Sequence, residues 1–403
     1  MHRVSVICVL LLLDLVVSYV PHWGKWRIRK LSCDLQALIA DSPRGLSWSQ
    51  ADLAIASKLN VLSFGMPRVL APTKARPEWL LWMQVRDDSI NQEVIDVSTG
   101  RIIFATSTDG IRNWQLHPNS PVLNPSKVNG DWFYFDSEHV GLGDVVYPGL
   151  EAQRRLLTGA NVYIMYTFGG NAERSFLPGP DQKNVQLMGA KMEIGVAVSQ
   201  DGAHWSRLEG PSAYGSVLEV SENDKDFDST FVGWPSVIET GSEYRMYYQS
   251  LDASTGKYAI GMAVATDGLL RWVKQGKVLE GGQNEDSFDY KGASRRHVVQ
   301  LRSGLFYMYY EGTSVDNEHS IGLATSADGR NWVTKGQVFS KNKEDTHAWD
   351  GGGVGSPHLV WIPEMNRWRM YYMGYNKESG HGCGMGVAIS TDETGVCFVR
   401  LND

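Results

Sequence analysis

Hydrophobic positions in this chain fall in short runs rich in β-branched and aromatic side chains, each closed off by Gly, Asn, Asp or Ser. That pattern predicts strands and turns rather than helices. The runs recur in a fixed order. The third occurrence reads Phe227-Asp228, Val237-Ile238, Tyr244-Arg245-Met246-Tyr247-Tyr248, Ile260 to Ala265, Asp267-Gly268 and Trp272. The fourth reads Phe288-Asp289, Val298-Val299, Phe306 to Tyr310, Ile321 to Ser326, Asp328-Gly329 and Trp332. The second runs from Phe135-Asp136 through Val145-Val146, Val162 to Tyr166 and Ile194 to Ser199 to Asp201-Gly202 and Trp205. The fifth runs from Trp349-Asp350 through Leu359-Val360, Arg369 to Tyr372 and Met385 to Ser390 to Asp392, with Phe398 in place of Trp. The first is the least regular, with strands expected at Phe64 to Leu70, Trp79 to Val85 and Ile102 to Ser107 before Asp109-Gly110 and Trp114.

The turn aspartates are 92, 66, 61 and 64 positions apart, too long a period for a helical solenoid and suited to one four-stranded propeller blade. In four repeats an Asp precedes its Val or Leu by nine residues. The prediction is therefore an all-β fold, a five-bladed β-propeller of four-stranded antiparallel blades, over residues 60–403. The long first spacing reflects an insertion between Gly169 and Lys191 with Pro178, Gly179 and Pro180, a loop suited to shaping a binding mouth. Asp-Gly supplies the positive φ of a tight turn, and its carboxylate can accept turn N–H groups, so Asp109, Asp201, Asp267 and Asp328 read as structural. The Trp after each turn is expected between neighbouring blades. How the ring closes stays open, because residues 396–401 have no evident N-terminal strand partner; residues 46–59 are the candidate.

A propeller absorbs 403 residues in one ring. A net charge of −7, with no basic cluster outside the N-terminus, argues against a nucleic-acid partner. Cys8, Cys33, Cys383 and Cys397 have no zinc-knuckle or disulfide-framework spacing, so no metal, cofactor or essential disulfide is expected. The apolar residues 4–20 follow Arg3 and are short for a membrane span, which suits a secretory signal peptide. Residues 21–33 have no acid but carry Lys25, Arg27, Arg29 and Lys30. That stretch resembles the two-part plastid leaders of algae with complex plastids. Residues 1–33 are accordingly expected to be a leader and 34–59 an N-terminal extension. The route enters the secretory pathway and ends in such a plastid or in secretion, with no membrane span in the mature chain.

The Tyr-Met-Tyr-Tyr strand, the Ile-Gly-x-Ala-x-Ser strand and the Asp-Gly-x-x-Trp turn resemble the five-bladed propeller glycosidases, the arabinanase, levansucrase and invertase superfamily, and the mannoside phosphorylases. The resemblance implies a carbohydrate ligand in the central channel, on the innermost strands, and in the hydrolases a set of carboxylates there. Hydrolases of this kind place an Asp or Glu one or two residues before the Pro of such a strand. Here those places hold Gly, Met, Leu, Trp, Ser and Arg.

Alignment on the Val or Leu, with period-two alternation, gives instead a ring of Arg68, Asp144, Ser236, His297 and His358, with Arg295 and Trp234 two residues earlier in their strands. A single carboxylate among Arg and His resembles the phosphorylase branch, in which one Asp acts as acid and cations hold phosphate. Asp144 is thus the first catalytic candidate, and Glu138, which breaks the repeat, the second. Arg68, Arg295 and His297 are suited to an anionic ligand or co-substrate. Asp136, Asp228, Asp289 and Asp350 recur at the start of the innermost strands and are either structural or, facing one opening, able to bind a cation or contact sugar hydroxyls. Asp144 could equally pair with Arg68 or Arg295 and plug the channel. His204 and His319 are expected on loops, without a role. Three readings stay open: glycoside hydrolysis or phosphorolysis, action on another small molecule without the hydrolase triad, and a non-catalytic binding module.

Overall fold

The computed structural model describes residues 18–19, 26–27, 61–87, 100–147, 162–178, 184–342, 349–375 and 382–401. Its strands form five four-stranded antiparallel sheets, each built in chain order from innermost to outermost strand. Blade 1 comprises Val61–Leu70, Trp79–Asp87, Arg101–Ser107 and Gln115–Leu116. Blade 2 comprises His139–Val146, Tyr163–Gly170, Met192–Ser199 and Ser206–Leu208. Blade 3 comprises Gly233–Glu239, Tyr244–Asp252, Lys257–Ala265 and Val273–Glu280. Blade 4 comprises Ala293–Gln300, Phe306–Thr313, His319–Ser326 and Val333–Phe339. Blade 5 comprises Gly353–Ile362, Arg367–Tyr375, Gly382–Ser390 and Phe398–Arg400. The five-bladed all-β architecture is the one the repeat predicts. The insertion in blade 2 carries a two-stranded hairpin, Arg174–Pro178 against Asn184–Met188. The leader and extension lie outside the described residues but for the pair Ser18–Tyr19 and Trp26–Arg27. Among the described residues no helix is long and apolar enough to cross a membrane.

The repeated residues do repeated structural work. In the turns, Asp109 accepts from the N–H groups of Ile111 and Arg112, and Asp328 from those of Arg330 and Asn331, each at 2.8 Å. These backbone donors favour the ionised carboxylate, and the pKa of Asp328 is lowered accordingly. The Gly after each Asp has φ between +66° and +80° in the first four blades, where an L side chain would be strained. Its carbonyl receives a hydrogen bond from the second strand of the preceding blade. Trp82 Nε1 donates to Gly202, and the hydroxyls of Tyr166, Tyr247 and Tyr371 donate to Gly268, Gly329 and Gly110; in blade 5 the acceptor of Tyr309 is Gly395, three residues after Asp392, all at 2.7–2.8 Å. The Trp after the turn packs edge-on against the same aromatic, as in Tyr166–Trp272 and Tyr247–Trp332. In blade 5 Phe398 takes that place against Tyr309.

Ring closure uses side chains. Blade 5 is completed by its own fourth strand, so no strand is exchanged between blades 5 and 1 among the described residues. The seam is held by Tyr371 on Gly110, by Arg369 Nη1 on the Asp109 carbonyl at 3.0 Å, and by Arg369 over the Trp79 ring at 4.7 Å. Residues 46–59, the candidate from sequence, lie outside the described residues.

Candidate functional site

The five ring residues do come together, and they form a hoop around the axis. Each pairs across its blade with the aromatic that clamps the next turn: Arg68 with Trp82, Asp144 with Tyr166, Ser236 with Tyr247, His297 with Tyr309 and His358 with Tyr371. Each also reaches the next innermost strand. Arg68 Nε lies 3.4 Å from Asp144 Oδ1, and Asp144 Oδ2 accepts from Val237 N at 2.8 Å. Ser236 Oγ accepts from Val298 N at 3.4 Å, and His297 Nδ1 from Leu359 N at 3.1 Å. His358 Nε2 donates to the Val69 carbonyl at 2.9 Å and completes the circuit. Asp144 Oδ1 also accepts from Val145 N, so both its oxygens are engaged by backbone. Burial raises the Asp144 pKa and Arg68 opposes the rise. Burial drives His297 well below its ordinary range and His358 down to about 3, and nearby positive charge lowers both further.

Just before each ring residue the innermost strand bulges, with register shifts at Gly65/Arg68, Leu142/Asp144, Gly233/Ser236, Ala293/Arg296 and Gly355/His358. Met66, Trp234 and Ser356, each followed by Pro, sit there at φ of 56°, 49° and 49°. Non-glycine residues in this region cost roughly 1–3 kcal/mol each and gather at ligand sites. Arg295 lies in the corresponding bulge of blade 4, and its guanidinium stands 5.6 Å from the Trp234 ring. Trp234 is wedged against Phe168 and Phe231.

Arg295 belongs to a cluster that the sequence reading did not find. Glu311, on the second strand of blade 4 and 1% exposed, accepts from His319 Nδ1 at 2.8 Å and Tyr375 Oη at 2.9 Å, with Arg295 Nη1 at 3.4 Å, all on Oε1. Its Oε2 accepts from Ser356 N at 2.9 Å. Gly355 permits this approach, since a Cβ there would stand 2.0 Å from Oε2. Arg295 also contacts the Tyr375 hydroxyl. Burial pushes the Glu311 carboxyl up, but Arg295, His319 and Tyr375 prevail and hold it down at about 2. His319 opens the third strand of blade 4, buried and stacked on Tyr375 with ring centroids 4.5 Å apart. It lies on a strand and not on the loop that its isolation in sequence suggested. Nδ1 is turned to Glu311, and Nε2 is buried with no partner among the described residues.

Glutamines stand at the same level in other blades. Gln84 pairs with Gly65 and Gln249 with Gly233, and the Oε1 of each is buried without a partner among the described residues. The corresponding places in blades 2 and 5 hold Phe168 and Met373. The signal was present in the sequence as the residue after the repeated Tyr-Tyr, which changes from Gln249 to Glu311 to Met373 while its neighbours repeat.

The recurrent aspartates are fastened within their own blades. Asp228 accepts from the Tyr248 hydroxyl and pairs with Lys274 at 2.8 Å. Asp350 takes Tyr372 and Arg400, Asp136 takes Arg207, and Asp289 takes the Tyr310 hydroxyl and Gly282 N. Glu138 pairs with Lys127 of a short 3-10 turn.

Solved structures share this architecture. A glycosyl hydrolase from Bacteroides ovatus superposes with a TM-score of 0.53 at 17% identity, over 84% of this chain and 86% of its own. The five-bladed propeller fold is thus shared with a glycosyl hydrolase. A structure reported for a family of mannoside phosphorylases that contains hydrolases targeting β-1,2 mannosidic linkages in Candida mannan gives 0.56 at 15%, over 85% and 88%. An N-acetylgalactosamine deacetylase from F. plautii, in complex with blood group B trisaccharide, gives 0.50 at 13%, over 81% and 88%. No family model and no curated protein matches the chain. Likeness at this identity concerns the fold, and the last example carries chemistry other than glycoside cleavage on it.

Proposed function

We propose that the protein is a carbohydrate-active propeller. It takes a glycoside at the channel mouth above the hoop, where His319, oriented by Glu311, transfers the proton and Arg295 contacts the ligand's oxygens. The observation that carries this reading is the Glu311–His319 pair. A fully buried carboxylate is kept ionised by three side-chain donors, and it fixes one imidazole nitrogen so that the other is an acceptor. Buried charge held this way is costly and is characteristic of working sites. Trp234 and the orphaned amide oxygens of Gln84 and Gln249 supply an apolar face and acceptors suited to a polyhydroxylated ring. Glycoside cleavage, by water or by phosphate, is the reaction the structural neighbours favour. A second reading, sugar binding without turnover, is favoured by Asp144, whose oxygens are both engaged by backbone, so that it does not offer the second free carboxylate of a hydrolase. The apolar leader with its basic flank supports passage into the secretory pathway, to a plastid or to the exterior.

Turnover of an aryl glycoside panel with and without phosphate, together with calorimetric sugar binding, tests this reading. The wild type is expected to turn over at least one glycoside. His319→Asn and Glu311→Gln should lower kcat by about 100-fold or more with a smaller effect on KM. Binding without turnover would favour the second reading, and neither binding nor turnover would contradict both.

A further inference from the structure

The hoop is out of charge balance. Arg68 and Arg296 are 1% and 0% exposed, and Asp144 is the carboxylate set against them. The adjoining His297 and His358 are neutral, and Glu311 is already matched by Arg295. Arg68 spends Nη1 on the Pro67 carbonyl at 2.9 Å and reaches Asp144 through Nε at 3.4 Å. Arg296 donates Nη2 to the Trp234 carbonyl at 2.5 Å, and its Nε and Nη1 are buried without a partner among the described residues. Burial and the neighbouring Arg68 both press against the charge on Arg296. A guanidinium nevertheless keeps its proton inside proteins, so the answer to that pressure is a counter-charge rather than neutralisation. Among the described residues, two guanidiniums facing one carboxylate leave one positive charge buried and unmatched, together with N–H donors that have no acceptor.

We propose that a monovalent inorganic anion of halide size sits in the channel against Arg296 and Arg68 and completes the hoop. One negative charge restores neutrality, and a compact ion can take the N–H groups of Arg296 Nε and Nη1, whereas a phosphate dianion would overshoot the charge and bring oxygens for which the hoop has no further donors. The ion is a structural part of the ring and is separate from the proton-transferring pair at the mouth.

The test uses the full chain and a readout other than turnover, so its failure is distinct from failure of the sugar-processing reading. Thermal unfolding is followed while chloride or bromide replaces gluconate at constant ionic strength. Crystals grown in bromide are examined by anomalous scattering. The wild type should show a saturable rise in Tm of about 3 °C or more with either halide, the Arg296→Met variant should show none, and the anomalous map should place bromide in contact with Arg296 Nε or Nη1. Should Arg296→Met fail to fold, the bromide map of the wild type decides. A map without bromide at Arg296 overturns the proposal whatever the melting curves show, and a Tm response to phosphate with none to halide overturns the assignment of the ion.

Discussion

His139, His297 and His358 show how far burial moves single residues in this ring. The first donates Nε2 to the Gly189 carbonyl at 2.9 Å, and burial, helped by Arg86, lowers its pKa to about 4. All three are neutral in the fold and titrate in the unfolded chain near 6.5. As pH falls below about 6.5 the unfolded chain takes up protons that the fold refuses. Their contribution is therefore complete above that value and is lost progressively toward the folded pKa values. Urea unfolding at pH 7 and pH 5.5 should differ by about 1 kcal/mol for each histidine that stays neutral. A midpoint that does not move over that interval would contradict their neutrality. The raised pKa of Asp144 and the lowered pKa of Glu311 act on stability with opposite signs.

At the scale of elements, the second strand of each blade separates two kinds of information. In Phe306–Thr313, Tyr309 reaches blade 5, Tyr310 fastens Asp289, and Glu311 belongs to the site. The repeated positions hold blades together, so repetition made the architecture legible from sequence. It hid the site for the same reason. Glu311 is a departure at a strand position next to the repeat, whereas the hoop lies on the innermost strands whose register the repeat sets. His319 was passed over because nothing local marks a histidine whose partner lies across a β-ladder. The bulges were equally invisible, since positive φ at Met66, Trp234 and Ser356 falls on residue types with no local preference for it. The clamp is directly testable: Tyr309→Phe, which strands the Gly395 carbonyl, should cost about 1–2 kcal/mol of unfolding free energy in urea. Tyr307→Phe, two residues earlier on the same face of that strand and part-exposed, should stay within about 0.5 kcal/mol. Equal effects would show that the hydroxyl clamps do not set blade-to-blade stability.

The whole molecule reads as three concentric layers on one five-fold plan. Outermost, aspartate turns are seized by aromatics of the preceding blade. Innermost, Arg68, Asp144, Ser236, His297 and His358 tie each strand to the next and close blade 5 on blade 1. Between them the second and third strands of blade 4 and the second strand of blade 5 set Glu311, His319 and Tyr375 against Arg295 and Trp234 of the bulged innermost strands, a charged, hydrogen-bonded cluster that departs from the plan. Function on this scaffold is then a local asymmetry that the ring holds rigid. The most direct measurement is a crystal structure of the protein with the glycoside that binds it best. The account predicts a sugar ring at the mouth, with one hydroxyl or the glycosidic oxygen within hydrogen-bond distance of His319 Nε2 and another held by Arg295. A sugar bound on the outer faces of the blades, with the Glu311–His319 pair untouched, would contradict it.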